Sequence, residues 1–302
     1  MGLSLSRSVL SFALLAPLAA LCTFVREDSA RAFVPPTAKL QRVGEMVFVP
    51  GATIKFGKQA VWGGPTPGQS MPGTDPEGVS VTVSGFLIDR TEVTVRAYRA
   101  CVTAGACPSL ADGTDQNDCT YNRSGFEEHP VNCITFEEAT KLCNSLGKRL
   151  PTEFEFELAE RGPTARAFPW GDTPPTPKQV NACDASCVRE EAKRGSNFTS
   201  LWVDTGGDDG WPFTAPVGIY PDGASVYGVL DLSGNVEEWV VDLWGPIATS
   251  PPVVSTSTYQ DHVVRGGSWD LSSIETFAST RRSAASKETR SNWLGFRCAR
   301  DG

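Results

Sequence analysis

Asp231, Ser233, Asn235, Glu237 and Glu238 surround Gly234 within YGVLDLSGNVEEWVVDLW, residues 227–244. Carboxylates on both sides of a tight glycine-containing turn can direct side-chain and main-chain oxygens at one point. That hard, all-oxygen surrounding is what calcium prefers. The same residues also suit a hairpin turn whose acids are solvated. A second stretch, HVVRGGSWDLSS at 262–273, puts paired glycines beside a Ser, a Trp and an Asp, and is read as the partner of the first.

Sulfur is the other reactive element. Apart from Cys22, the cysteines are Cys101, Cys107, Cys119, Cys133, Cys143, Cys183, Cys187 and Cys298. An even set behind an apolar leader reads as the disulfides of an exported protein. Cys183 with Cys187 is a plausible local pair, and Cys101, Cys107, Cys119 and Cys133 allow three pairings. Zinc is disfavoured: Cys183-x3-Cys187 has no second pair at finger spacing, and the only histidines are His129 and His262.

The leader is expected to be a cleaved signal peptide over residues 1–32. Arg7 precedes an apolar run from Val9 to Val25, and Ala30 and Ala32 offer small residues at the −3 and −1 positions. A retained anchor is the alternative, though the run is short for a spanning helix. Export, to a periplasmic or extracellular space, follows from either. Two sequons, at Asn122 and Asn197, would matter only in a eukaryotic secretory route.

The elements that hold these groups are short. Gly (29) and Pro (22) make up roughly one residue in six, against an average of about 12%. With 8 Trp and 15 Phe to bury, this signals a loop-rich globule, not disorder. The net charge of −8 and the lack of long basic runs argue against nucleic acid or an anionic membrane surface as partner. A lead-in over 33–43 precedes the domain at 44–302. Strands are expected at 46–49 and 53–56, joined by Pro-Gly, and one strand over 79–88, with a Gly- and Pro-rich loop over 58–77 between. Thr94 should cap a helix to about Ala104. Thr135-x-x-Glu138 and Thr152-x-x-Glu155 are capping boxes for two more, ended by Gly147 and Gly162. Residues 162–211 show almost no periodicity and read as irregular, a length that needs disulfide or metal to fix it.

The blocks KRLPTEFEFELAERG (148–162), FPWGD (168–172), TAPVGIYP (214–221), DLSGNVEEW (231–239), RGGSW (265–269) and LGFRC (294–298), in this order, resemble the sulfatase-modifying factor family, which includes the formylglycine-generating enzyme. The resemblance spans roughly residues 44–299. It implies a single irregular α+β domain with a C-type-lectin-like core and little regular secondary structure. It also implies two structural calcium sites: one from Asn181, the Ala182 carbonyl, Asp209 and the Trp211 carbonyl, the other from Asp231, the Gly234 and Val236 carbonyls and Glu238. A disulfide between Cys143 and Cys298 carries over as well.

The family's catalytic pattern does not carry over. Formylglycine-generating enzymes bind copper(I) through two thiols in the segment after GGS, and thiolate is the right ligand for that soft ion. Here those positions are Leu271 and Thr276, and no cysteine lies between Cys187 and Cys298. Copper is therefore not expected. Relatives that use iron need three histidines, and this chain has 2. Two cleft positions also differ, with Glu237 where the active enzyme has Trp and Trp293 where it has Asn. The expectation is a binding or accessory module for a peptide, protein or glycan, with no catalytic residue assigned. Its cleft would be formed by Glu237, Ser268, Trp269, Asp270, Arg281, Arg282 and Trp293. The alternatives are an oxidoreductase acting on a substrate cysteine by a variant route, or a hydrolase or transferase built on Asp270, Glu275, Arg281 and Arg282.

Overall fold

A computed structural model describes residues 45–57, 78–110, 118–197, 199–200, 207–245 and 260–302. The expected signal peptide, the lead-in, Cys22 and the loop at 58–77 lie outside the described residues. Strands β1 (Met46–Val49) and β2 (Ala52–Phe56) form where expected. They do not pair with each other. β2 pairs with β3 (Val79–Val83), while β1 pairs with β4 (Phe86–Asp89), both antiparallel. The single strand expected over 79–88 is thus two strands in two sheets. The alternation runs through the break, so periodicity hides it; the break is at Ser84-Gly85, where the backbone packs against Gly51. A Cβ on Gly51 would sit 2.8 Å from Gly85 N.

All three expected helices form: α1 (Val95–Thr103), α2 (Phe136–Ser145) and α3 (Glu153–Arg161). Thr94 caps α1 through the Ala97 amide, and both capping boxes close with reciprocal hydrogen bonds. The irregular reading of 162–211 needs one correction. Helix α4 spans Ala185–Lys193, capped by Asp184 and stapled in its first turn by Cys183–Cys187. Only Ser186 and Cys187 of ASCVREEAK are buried, so there was no apolar stripe for periodicity to find.

Toward the C-terminus, β5 (Glu237–Leu243), β6 (Asp261–Arg265), β7 (Ser283–Ser286) and β8 (Leu294–Gly295) form a sheet in the order β7-β6-β5-β8, with β5 and β8 parallel. β9 (Ala299–Asp301) returns to pair with β4. One core cluster joins α1 and α2 to Trp239, Leu294 and Phe296. A second joins α3 to the N-terminal strands, Leu232 and Val240. The four bridges are Cys101–Cys107, Cys119–Cys133, Cys143–Cys298 and Cys183–Cys187. The third closes a loop with a sequence separation of 155 and fastens the chain's end to α2; loop entropy makes this bridge worth about 5 kcal/mol at most. Among the described residues, no helix is long and apolar enough to cross a membrane.

Helix α3 departs most from its sequence pattern, because all nine residues are buried, including Glu153, Glu155, Glu157, Glu160 and Arg161. Buried charge persists only when paired. Glu153 binds Arg282, Glu155 binds Arg149, and Glu157 takes Arg161 at 2.9 Å and Arg265 at 3.3 Å. Glu160 is the least compensated. Burial pushes its carboxyl up to about 7, Arg265 opposes this, and the charge of Glu157 adds to it. The unfolded chain releases this proton at an ordinary carboxylate pKa, and the folded chain holds it until about pH 7. This group's contribution to stability therefore falls as pH rises between those values. Glu160→Gln, which cannot ionise, should gain in melting temperature relative to the parent between pH 5 and pH 8. Parallel melting curves check this; a constant gap would contradict it.

Candidate functional site

The turn at 231–238 is fixed before any ligand is considered. Asp231 (φ 55°), Gly234 (φ 81°) and Asn235 (φ 63°) all take left-handed backbone. Gly234 is also sterically required, since a Cβ there would lie 2.4 Å from the Asn181 carbonyl oxygen. Its amide donates to Gly266 O at 2.9 Å, the Asn235 amide donates to Asn181 O at 3.0 Å, and the Trp269 amide donates to Asn235 O at 3.0 Å. The turn, the Gly-Gly-Ser stretch and the 180–182 segment are thus knitted at the backbone. The side chain of Asn235, not assigned from sequence, is the hub. Its Oδ1 accepts from Ala215 N and Asn181 Nδ2, and its Nδ2 donates to Glu92 Oε1.

Around this turn, buried acid outnumbers buried base. Arg297 grips both oxygens of Glu238, at 2.6 and 2.7 Å, and donates to the carbonyls of Leu230 and Asp231. Asp231 Oδ2 accepts from the Gly218 amide, and Glu92 Oε2 is buried without a hydrogen-bond donor among the described residues while its carboxyl lies against that of Asp231. Burial raises Glu92, Asp231 and Glu238 alike. Glu92 rises far, because the Asp231 charge adds to burial. Ionised together, the three carboxylates would exceed the one guanidinium by two charges, and among the described residues no group of three or more acids, cysteines or histidines is placed to hold a metal ion. The expected donors are all oxygen and partly carbonyl, the kinds calcium takes, but both oxygens of Glu238 are already engaged by Arg297. Glu92 was missed in the sequence because it lies on a distant segment before α1.

The other expected metal set falls around the 209–213 segment. Asn181 Nδ2 donates to Phe213 O, leaving Asn181 Oδ1 buried with no partner among the described residues. Asp209 accepts from the Trp211 amide at 2.7 Å and the Tyr220 hydroxyl at 2.9 Å. Burial, then the charge of Asp184, pushes its carboxyl up to about 7. Asp184 receives the Asp209 amide and so belongs to the same acidic knot; its signal in the sequence was that of a helix cap. An unsatisfied amide oxygen and a carboxylate crowded by Asp184 are each the kind of group an oxygen-seeking cation would relieve.

The expected cleft is only partly assembled. Glu237 and Arg281 form an ion pair, Ser268 Oγ donates to Asp270, and the Glu237 amide donates to the Trp293 carbonyl. Burial raises Glu237 and Asp270, and the charge of Asp270 adds to the rise at Glu237. Two expectations need correction. Trp269 is only 5% exposed, its edge against Phe213 and its Nε1 on Asn292 O, so it is a wall, not an open platform. Arg282 is buried against Glu153 and Gly245 O, with its guanidinium over Trp244, and does not join Glu237. At the positions of the family's thiols, Leu271 packs into the cluster of Phe168, Val180 and Phe277, and Thr276 donates to Ser273 O.

The family described as sulfatase-modifying factor enzyme 1-like domain matches residues 31–302. The formylglycine-generating enzyme of Mus musculus is 32% identical over 185 residues, covering 57% of this chain and 44% of that enzyme. The inactive C-alpha-formylglycine-generating enzyme 2 of Bos taurus is 30% identical over 182 residues, covering 57% of this chain and 50% of that protein. The chain thus spans about half the length of these curated relatives. Among solved structures, PvdO from Pseudomonas aeruginosa superposes with a TM-score of 0.62 at 25% identity, covering 86% of this chain and 95% of PvdO.

Proposed function

Because this chain belongs to the sulfatase-modifying factor family, we propose that it is an exported, calcium-stabilised member that binds a partner and does not generate formylglycine. The observation that carries this is the fate of sulfur. Cys101, Cys107, Cys119, Cys133, Cys143, Cys183, Cys187 and Cys298 are all consumed in disulfides. The positions where the family's enzymes carry thiols hold Leu271, partly buried against Phe168, Val180 and Phe277, and Thr276. No sulfur nucleophile or soft-metal ligand is left in the site. A relative whose printed name calls it inactive is similar over the same share of the chain.

Four disulfides support export, since such bonds persist in oxidising compartments. The surplus of buried carboxylate near Glu238 and the open oxygen of Asn181 support calcium at both positions, held by Asp231, Gly234, Val236 and Glu238, and by Asn181, Ala182, Asp209 and Trp211. The calcium ions would fix the turns on which the cleft rests. The cleft, with Ser268, Asp270, Glu237, Arg281 and Trp293 beside the Trp269 wall, combines aromatic area with directional polar groups, which suits an extended peptide or a glycan.

Thiol titration of the denatured mature protein, without reductant, should find about zero thiols per chain. A peptide bearing Cys-x-Pro-x-Arg should keep its mass on incubation with the protein. Two reactive thiols that bind copper(I), or mass loss at the peptide's cysteine, would overturn the reading in favour of a cysteine oxidoreductase.

A further inference from the structure

Beneath the Gly-Gly-Ser stretch lies a polar cluster that neither the cleft nor the calcium sets use. Arg265, the last residue of β6, is fully buried. Its Nη2 donates to Ser279 O at 2.6 Å and Glu157 Oε2 at 3.3 Å, and lies 3.6 Å from Glu160 Oε2. Its Nε and Nη1 have no hydrogen-bond partner among the described residues, nor does Ser279 Oγ, and Glu160 Oε2 has only the long ion pair to Arg265 Nη2. Glu160 is 1% exposed and Ser279 0%. The other Glu160 oxygen accepts from Ser233 Oγ, which also lies 3.1 Å from Phe277 O. The rings of Phe56 and Phe156, each 5.9 Å from the guanidinium carbon, stand on the apolar side.

A buried charged donor left open costs several times what an ordinary hydrogen bond contributes, so four open positions in one cluster require a guest. Charge selects it. With Glu160 ionised, above about pH 7, Glu157 and Glu160 balance Arg161 and Arg265, so an anion would meet two carboxylates and a cation two guanidiniums. The guest must be neutral, must accept from Arg265 and must donate to Glu160; Ser279 Oγ serves either way.

We propose that Arg265, Glu160 and Ser279 enclose an internal site for ordered water that tethers α3 to the 277–281 segment carrying Arg281 of the cleft. Water supplies both polarities and makes two to four hydrogen bonds in such sites. The tether runs from α3 through the water and Arg265 to the carbonyl of Ser279, two residues before Arg281.

A crystal structure of the mature, calcium-loaded chain, at a resolution that shows ordered solvent, tests this directly. Water density should lie within hydrogen-bond distance of both the Arg265 guanidinium and Glu160. A dry void, closure by direct side-chain pairing, or an ion identified by anomalous scattering would each overturn it. Two variants give an independent reading. Glu160→Gln keeps a group that can bond water and should keep the density. Glu160→Met, of similar size, should lose the density and melt at a lower temperature than the Gln variant. If Met is as stable as Gln at pH 6, water completes nothing here and the proposal fails.

Discussion

Excess EDTA should lower the melting temperature of the mature protein by roughly 15 °C or more. The expectation follows from linkage. A ligand present at about a thousand times its dissociation constant stabilises the folded state by about 4 kcal/mol per site. Two sites contribute about twice that, and a domain of this size shifts by about 2–4 °C per kcal/mol. The charge distribution explains why the loss should be large. Glu92, Asp231 and Glu238 are fully buried with only Arg297 opposing them, and Asp209 is crowded by Asp184. Without a cation these acids repel one another at neutral pH or take up protons. Readdition of calcium should restore melting, with magnesium less effective because the turns offer irregular geometry and bulky carbonyl donors. An unchanged melting curve, together with no metal detected in the untreated protein by elemental analysis, would remove calcium from the account.

The second large effect belongs to Arg297→Met. Arg297 and Glu238 are both 0% exposed, and the guanidinium also gathers the carbonyls of Leu230 and Asp231. Removing one partner of such a pair costs about 3–5 kcal/mol, because the other charge stays buried without compensation. Chemical denaturation should register that loss. In the calcium-stripped protein, adding Glu238→Gln to the Met variant should recover part of it, which marks the cost as that of a stranded carboxylate. Should the single variant lose less than about 1 kcal/mol, Arg297 would be packing without carrying charge balance, and the dication argument would weaken with it.

The legible part of this protein was its local chemistry. Thr94, Thr135 and Thr152 announced their helices, because a cap is satisfied by residues three positions away. The tight turn at 231–238 was legible for the same reason, with Gly234 and Asn235 both in left-handed backbone. Helix α4 was hidden because it presents no apolar stripe, and the break at Ser84-Gly85 because alternation continues through it. Arg281 and Arg282 both fall in the segment after Gly-Gly-Ser, which is why the sequence groups them. They lie just before β7, where no strand periodicity orders them, and the structure gives one to Glu237 and the other to Glu153.

By itself the sequence determined the helix caps and the absence of thiols at 271 and 276, since each depends on residue type and short spacing. Tertiary structure alone decided which strands pair, how Cys101, Cys107, Cys119 and Cys133 divide, and that Glu92 and Arg297 meet across about two hundred residues at Asp231 and Glu238. The reason is physical: a buried charge is tolerated only beside its counterpart, and that counterpart is chosen by where the chain folds, not by what stands next to it in line.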